Sequence, residues 1–214
     1  MTEEKATSAA VSASTQKLLH DNVSHFFSEF AKKYESHMSC RAGCSCCCYT
    51  DLTVFVSEAA EILRWFFSQT DVVKKELVEN WKQSKKAGPD AAGNLQKPCV
   101  FLANNRCTIY EARPTICRSQ GLPLLFRETN LKTKETILHV DYCPLNFVEQ
   151  DSLPPRAEWL DLDRLNTLQS LASQQPCPVF SELKDFRLHE LCNKDRRVSL
   201  RRLSDELAKR ADIT

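Results

Sequence analysis

Five cysteines lie in the short stretch from Cys40 to Cys48, which reads Cys-Arg-Ala-Gly-Cys-Ser-Cys-Cys-Cys. Adjacent cysteines are poorly placed to bridge one another, because a disulfide needs Cα atoms several Å apart and converging side chains. Thiolates held this close repel, and a soft metal ion or an iron–sulfur cluster supplies the positive charge that makes their proximity favourable. The spacing therefore predicts a metal-binding loop, and it leaves a reactive redox loop open as the alternative.

Further cysteines follow at Cys99, Cys107, Cys117 and Cys143. Bringing them to the Cys40–Cys48 loop closes a long segment of chain, but the entropic cost grows only slowly with its length. A structural zinc ion contributes about 10–16 kcal/mol of apparent folding free energy, as much as the roughly 5–15 kcal/mol stability of an ordinary domain. We therefore expect these thiols to converge on the loop, and we expect metal removal to disorder the central third of the chain.

The remaining composition is that of an ordinary globular protein, with 42% hydrophobic and 27% charged residues among 214. A formal net charge of +1 argues against nucleic acid and against a membrane surface as partners. The sequence begins without a basic leader or an apolar signal core, and no stretch has the length of a membrane span. We therefore predict a cytoplasmic protein, in which thiols stay reduced and clustered cysteines act as ligands.

Apolar periodicity predicts a mainly α protein with small β-hairpins, an α+β fold in which helices flank an irregular, metal-stapled core. The predicted helices are Thr15–Met38, Ser57–Phe66, Asp71–Ala87, Leu162–Ser173, Ser181–Cys192 and Ser199–Ala211. Ser57 and Asp71 are the predicted N-caps of the second and third of these helices.

Short β-branched and aromatic runs predict the extended segments. Leu52–Val56 is one of them; Cys99–Leu102 with Arg106–Tyr110 and Leu124–Arg127 with Thr136–Val140 are the two predicted hairpins. We expect residues 1–14 to be disordered, residues 15–150 to form the cysteine-cluster domain, and residues 151–214 to add helices that pack on it. Cys177 and Cys192 stand among apolar neighbours, where we expect core positions.

Arg113 and Arg118 lie on either side of Cys117. Guanidinium groups beside thiolates would offset excess negative charge and orient the ligands, so both arginines are candidates for binding the metal cofactor indirectly. Pairing with Glu111 or Glu128 at the surface is the alternative.

Two stretches form a specific pattern: Cys40-x-x-Gly43-Cys44-x-x-Cys47-Cys48, and Cys99-x-x-Leu102 followed by Cys107-Thr-Ile-Tyr110-Glu-Ala-Arg113-Pro114-Thr-Ile-Cys117-Arg118. In order and spacing, residues from about 40 to 143 resemble the YkgJ-like cysteine-cluster family, the CxxCxxCC zinc- or iron-chelating domain. The resemblance implies metal ligands at Cys40, Cys44, Cys47, Cys48, Cys99, Cys107 and Cys117, with Cys143 as the eighth. Cys46 fills a variable position of the pattern, which leaves its role open.

We therefore predict a metal-binding protein that holds zinc or iron through about eight thiolates and presents a helical surface to a protein partner. Related cysteine clusters occur in flagellin lysine methylases, where an iron–sulfur cofactor is implied. An iron–sulfur or iron-dependent enzyme acting on a protein or peptide is therefore the alternative, and a thiol redox switch is a second one. Eight thiolates suit two four-cysteine zinc sites, a bridged multinuclear cluster, or one cubane with further ligands.

Overall fold

A computed structural model describes residues 3–86, 97–149, 152–174 and 188–211. Its α-helices are α1 (Glu3–Lys33), α2 (Val56–Ser68), α3 (Asp71–Lys86), α4 (Thr115–Ser119), α5 (Leu162–Gln174), α6 (Leu188–Leu191) and α7 (Leu200–Ala211). Its strands are β1 (Thr53–Phe55), β2 (Leu102–Ala103), β3 (Arg106–Cys107), β4 (Leu124–Thr129), β5 (Thr136–Asp141), β6 (Leu160–Asp161) and β7 (Arg197–Ser199). The described chain is thus a mixed α+β fold with small sheets, as the sequence predicts.

The larger apolar core joins α2, α3 and α7 to the β2–β3 hairpin. The Trp81 ring lies at its centre, 5.5 Å from the ring of Phe66 in α2 and 5.0 Å from the ring of Phe101 just before β2. Leu203 and Leu207 of α7 are fully buried in the same cluster. Because burying one such side chain contributes about 1.5–3 kcal/mol, this cluster fixes the three helices and the hairpin relative to one another.

A short antiparallel pair, β1 with β7, connects distant parts of the sequence. Val54 lies opposite Val198, and both are buried. The Arg197 guanidinium donates a hydrogen bond of 2.8 Å to the carbonyl of Thr53 and lies 4.3 Å from the centre of the Phe55 ring. The sequence predicts the extended segment at β1 but not its partner, because β7 is too short and too polar to show an apolar period of two.

A second apolar cluster lies beneath α1 and brings the two ends of the cysteine region together. The Phe30 ring packs edge-on against that of Phe147 at 6.1 Å, with Leu122 and Leu124 buried beside them. The backbone N–H of Phe147 donates to the carbonyl of His37, 2.8 Å away. The segment that precedes the first cysteine and the segment that follows Cys143 therefore lie side by side.

The second predicted hairpin is confirmed as β4 and β5, paired from Leu124 opposite Asp141 to Thr129 opposite Thr136. β6 adds in parallel to β4, and Arg127 joins Asp161 and Asp163 by ion pairs of 3.2 and 2.9 Å. These exposed ion pairs lie at the start of α5, and each contributes only about 0–1 kcal/mol to the free energy of unfolding.

The first helix differs from its prediction at both ends, since α1 begins at Glu3 and ends at Lys33 instead of spanning Thr15–Met38. Tyr34 leaves the helical region with φ −112° and ψ 29°, and a 3₁₀ turn over Glu35–His37 follows. The N–H of His37 donates to the carbonyl of Tyr34 (2.9 Å) in this turn, and the His37 carbonyl accepts the N–H of Phe147 from the second cluster.

The two predicted N-caps are wrong, because the side chains are used elsewhere. α2 begins at Val56, and the Ser57 hydroxyl instead shares a hydrogen bond of 2.8 Å with that of Ser173. α3 begins at Asp71, and its cap is Thr70, whose hydroxyl oxygen accepts the N–H of Val73 at 3.4 Å.

Other boundaries agree closely, as for α5 and α7. Most of the predicted helix Ser181–Cys192 lies outside the described residues, which contain α6 in that region. The division into residues 1–14, 15–150 and 151–214 stays a prediction. Among the described helices, none has the length and apolar character needed to cross a membrane.

We predict that Leu203→Ala lowers the free energy of unfolding by about 2–5 kcal/mol, because it leaves a cavity between α7 and the main core. Leu171→Ala is the matched control, since Leu171 in α5 is 53% exposed. Urea denaturation followed by circular dichroism compares the two variants. Equal, small losses would mean that α7 is not part of the core.

Candidate metal centre

The Cys40–Cys48 loop is shaped by two tight turns of backbone. The N–H of Cys44 donates to the carbonyl of Arg41 (3.0 Å), with Gly43 at a φ of +89°, and the N–H of Cys48 donates to the carbonyl of Ser45 (2.8 Å). A glycine suits the first turn because a positive φ carries no steric cost there. All described cysteines are free thiols, so no described pair forms a disulfide.

The first predicted hairpin is confirmed in shorter form, as β2 and β3 with Leu102 opposite Cys107. Asn104 and Asn105 take φ values of 51° and 57°, which a two-residue hairpin turn requires and asparagine tolerates. The sequence Ala-Asn-Asn thus explains the turn and places Cys107 on the returning strand.

Three hydrogen bonds fix this hairpin beside the cysteine loop. The N–H of Cys99 donates to the carbonyl of Cys48 at 2.6 Å, and the Ser45 hydroxyl donates to the side-chain oxygen of Asn105 at 3.2 Å. The Ser84 hydroxyl of α3 donates to the carbonyl of Cys99 at 2.9 Å. Cys99 and Cys107 are therefore held against the loop despite their distance along the sequence.

The first set of neighbouring thiols, the loop group, consists of Cys40, Cys44, Cys47 and Cys143. Burial raises the pKa of the Cys40 thiol, a hydrogen bond from Asn146 lowers it, and the nearby Cys143, Cys44 and Cys47 raise it further. Cys143 is buried, and Asn146 is fixed to it by an N–H that donates to the Cys143 carbonyl at 2.8 Å. The loop and the segment after β5 thus supply one group of sulfur atoms.

The second set, the hairpin group, consists of Cys48, Cys99, Cys107 and Cys117. Burial, with a smaller contribution from Cys99, raises the pKa of Cys107 to about 11. The pKa of Cys117 is also raised, first by burial and then by Cys99 and Cys107. A hydrogen bond with Cys47 and then burial raise the pKa of Cys48, with further contributions from Cys99 and Cys107. These four thiols come from three separate segments and interact with one another.

Cys47 links the two groups. The hydrogen bond with the Cys48 thiol lowers the pKa of Cys47 to about 7 against the opposing effect of burial, and the Arg113 guanidinium lowers it as well. The same thiol contributes to the raised pKa values of Cys40 in the loop group and of Cys107 in the hairpin group. The eight predicted ligands therefore lie close enough for their thiols to affect one another's pKa values, and these effects divide them into two adjoining groups.

Cys46 lies in the same loop but points outward. It is exposed, and its pKa is raised first by slight burial and then by Cys44. Cys192, in contrast, lies against the main core, where its thiol contacts the carbonyl of Leu188 at 3.4 Å. Cys177 lies outside the described residues.

Clustering is not the same as coordination. Within residues 3–86, 97–149, 152–174 and 188–211, no three or more His, Cys, Asp or Glu side chains are arranged to hold a metal ion. Thiols with raised pKa values retain their protons, and a metal ion must displace those protons before the sulfur atoms close around it. The donor set nevertheless fits a thiophilic metal, because soft sulfur ligands from four segments lie within interaction distance.

The two predicted arginines differ in what they contact. Arg113 lies near Cys47 and Cys107, lowering the pKa of both; its guanidinium stacks 4.0 Å from the centre of the Tyr110 ring. The buried Nε of Arg113 has no hydrogen-bond acceptor among the described residues. Arg118 donates instead to the carbonyl of Arg113 (2.8 Å), to the Ser24 hydroxyl (2.9 Å) and to the carbonyl of Glu111.

Two histidines outside the predicted ligand set, His37 and His139, each lie beside a carboxylate. His37 lies 3.8 Å from the carboxylate of Glu149. His139 stacks on Phe126 with ring centres 5.3 Å apart and lies 3.2 Å from Glu128.

Asn146 and Gly121 contribute to the site although the sequence did not single them out. The amide nitrogen of buried Asn146 donates to the carbonyl of Gly121 (2.9 Å) and to the Cys40 sulfur (3.4 Å), and its oxygen accepts the N–H of Ser39 at 2.8 Å. A single amide thus orients the first cysteine. Only the scarcity of glycine, four in the chain, could have drawn attention to Gly121.

Residues 39–144 match the family model described as "CxxCxxCC: Putative zinc- or iron-chelating domain". The matched part of the chain contains both groups of thiols. No curated protein and no solved structure matches the chain.

We predict that Gly121→Ala displaces the Cys40 sulfur, because an added Cβ would lie 2.6 Å from it and the φ of +102° strains any other residue. Gly43→Ala is the matched control, with a φ of +89° and no atom within 4 Å of the added Cβ. The control should lose only the strain energy of about 1–3 kcal/mol. Peptide-resolved alkylation should show faster reaction of Cys40 in Gly121→Ala alone; equal rates in the two variants would contradict the prediction.

Proposed function

We propose that the protein is a cytoplasmic metal-binding protein that holds zinc or iron through Cys40, Cys44, Cys47, Cys48, Cys99, Cys107, Cys117 and Cys143. The observation that supports this most directly is the convergence of four separate segments that each bring cysteine to the same place. Holding so many thiolates close together is unfavourable unless a cation compensates for the sulfur charge. The family description points to the same two metals.

The separation into a loop group and a hairpin group supports two adjoining sites of four thiolates each. Four cysteines complete the tetrahedral coordination of zinc and leave no open position for a substrate. We therefore propose that the metal staples the loop, the hairpin and α4 together rather than catalysing a reaction. Cys47, which interacts with both groups, is the residue through which a bridged two-metal cluster would form.

An iron–sulfur cofactor uses the same thiolate chemistry and would place the protein among the redox or peptide-modifying enzymes. The exposed Cys46 beside the loop group favours keeping this candidate, because a solvent-accessible sulfur allows contact with a partner.

Anaerobic purification followed by elemental analysis and visible spectroscopy distinguishes these candidates. We expect stoichiometric zinc or iron; colourless zinc protein supports the stapling role, whereas brown protein that bleaches on reduction supports the iron–sulfur enzyme. Removing the metal with a chelator should lower the melting temperature strongly, since the ion contributes about 10–16 kcal/mol to folding. Protein that retains neither metal and forms reversible disulfides would favour the redox switch.

We predict that Cys44→Ser and Cys107→Ser each lose about half of the bound metal, because each removes a ligand from a different group of four. Cys192→Ser is the control, since that thiol lies against the apolar core. Elemental analysis per folded chain gives the measurement. Full retention in Cys44→Ser or Cys107→Ser would contradict the assignment of that ligand.

We also predict that Arg113→Gln lowers metal affinity about 10- to 100-fold, the usual effect of removing a group that supports metal ligands. The Arg113 guanidinium lowers the pKa of both the Cys47 and the Cys107 thiols. Arg106→Gln, which removes an exposed arginine from β3, is the control. Competition with a chromogenic chelator measures both variants, and unchanged affinity in Arg113→Gln would reject the role.

A further inference from the structure

Cys117 is carried by a helix that is too short to be stable by itself. α4 contains only Thr115–Ser119, and the N–H groups of Cys117 and Arg118 both donate to the carbonyl of Pro114 at 3.0 Å. Nucleating a helix costs more than one turn of hydrogen bonds returns, so a helix of five residues needs contacts from outside. The position of the Cys117 sulfur therefore depends on whatever holds the start of α4.

A buried carboxylate holds the start of α4 in place. Glu58 of α2 is 3% exposed, and its Oε1 accepts the backbone N–H of Thr115 at 2.8 Å. Its Oε2 accepts the backbone N–H of Phe55 at 3.0 Å. One side chain thus joins the first residue of α4 to the residue that precedes α2.

Polar groups from two further helices surround this carboxylate. The Gln169 amide of α5 donates to Oε1 of Glu58 at 3.3 Å and also to the Thr115 hydroxyl. His20 of α1 lies 3.9 Å from Oε1, and the Gln16 amide contacts the His20 ring at 2.8 Å. These residues are all buried, so the network is assembled from α1, α2, α4 and α5 at one point.

Burial alone would raise the pKa of Glu58, but His20 and the N–H groups of Thr115 and Phe55 hold that pKa below its ordinary value. The side chain is therefore a carboxylate at neutral pH. Hydrogen bonds that an N–H donates to an ionised acceptor are about twice as strong as neutral ones, and a negative charge at a helix N-terminus is favourable. Glu58 is not part of the cysteine pattern. The hydrogen bonds that it accepts from the N–H groups of Thr115 and Phe55 account for its burial.

We infer that Glu58 is a positioning residue for the metal centre, which acts by fixing α4 so that the Cys117 sulfur faces the hairpin group. This inference rests on the proposed function. It assigns to Glu58 no contact with the metal: the carboxylate acts through Thr115, two residues before Cys117.

The experiment compares Glu58→Gln with Glu61→Gln in the full chain loaded with cobalt(II), whose thiolate charge-transfer absorption reports the sulfur ligands. Glu61 is the matched control, because it lies on the same helix and pairs with Arg64 instead of α4. In Glu58→Gln, an amide NH₂ must face one of the two backbone N–H donors, so one hydrogen bond is lost. We expect metal affinity to fall about 10- to 100-fold and charge-transfer absorption per bound cobalt to decrease, with neither change in Glu61→Gln.

Two further measurements separate positioning from general stabilisation. In loaded Glu58→Gln, peptide-resolved alkylation should find Cys117 reactive and Cys44 still protected; simultaneous reaction of both would overturn the inference. In a double-mutant cycle, Glu58→Gln should have no further effect on affinity once Cys117→Ser is present, and additive losses would also overturn it.

If Glu58→Gln does not fold, Thr115→Pro provides the second variant. It removes the N–H that Glu58 accepts and keeps the carboxylate, at a helix position that tolerates proline. The same selective reactivity of Cys117 is expected, and its absence would overturn the inference. A wild-type protein that binds no cobalt and shows no protected thiol would instead refute the proposed function.

Discussion

Repulsion among closely placed and mostly half-buried sulfur atoms is the constraint on which the rest of the arrangement depends. Eight thiols from four segments share one region, and several have raised pKa values because burial and their neighbours both oppose ionisation. Such a region is unfavourable as a set of thiolates and acceptable as a set of thiols. A bound cation reverses that balance, because it makes the same proximity a source of stability.

Several of the segments that carry the sulfur atoms are held in place by contacts with groups other than thiols. The hairpin with Cys99 and Cys107 is held by the core around Trp81, whose ring nitrogen donates to the Thr108 hydroxyl at 2.9 Å. Asn146 orients Cys40, and Glu58 orients the helix of Cys117. The frame around the thiols is therefore defined by ordinary packing, and a bound metal would act on groups that are already gathered.

The sequence predicts those parts of the fold whose cause is local. The Asn104–Asn105 turn, the β4–β5 hairpin and α5 follow from turn chemistry and periodicity. The eight sulfur ligands stay a prediction from spacing and from the family pattern. The predicted N-cap at Ser57 was wrong because the Ser57 hydroxyl hydrogen-bonds to that of Ser173 in α5, a contact that no local sequence pattern reveals. β7 and the network around Glu58 were missed for the same reason, because both form through contacts between residues far apart in the sequence.

The pairing of β1 with β7 has a consequence for biosynthesis. Every cysteine of the two groups precedes β7 by more than fifty positions. At about 5–20 residues per second, a ribosome exposes these thiols for several seconds before the strand that covers Val54 has been made. During that interval the nascent chain presents its thiols before the β1–β7 pair can form, so any metal binding or oxidation in that time precedes the completed fold.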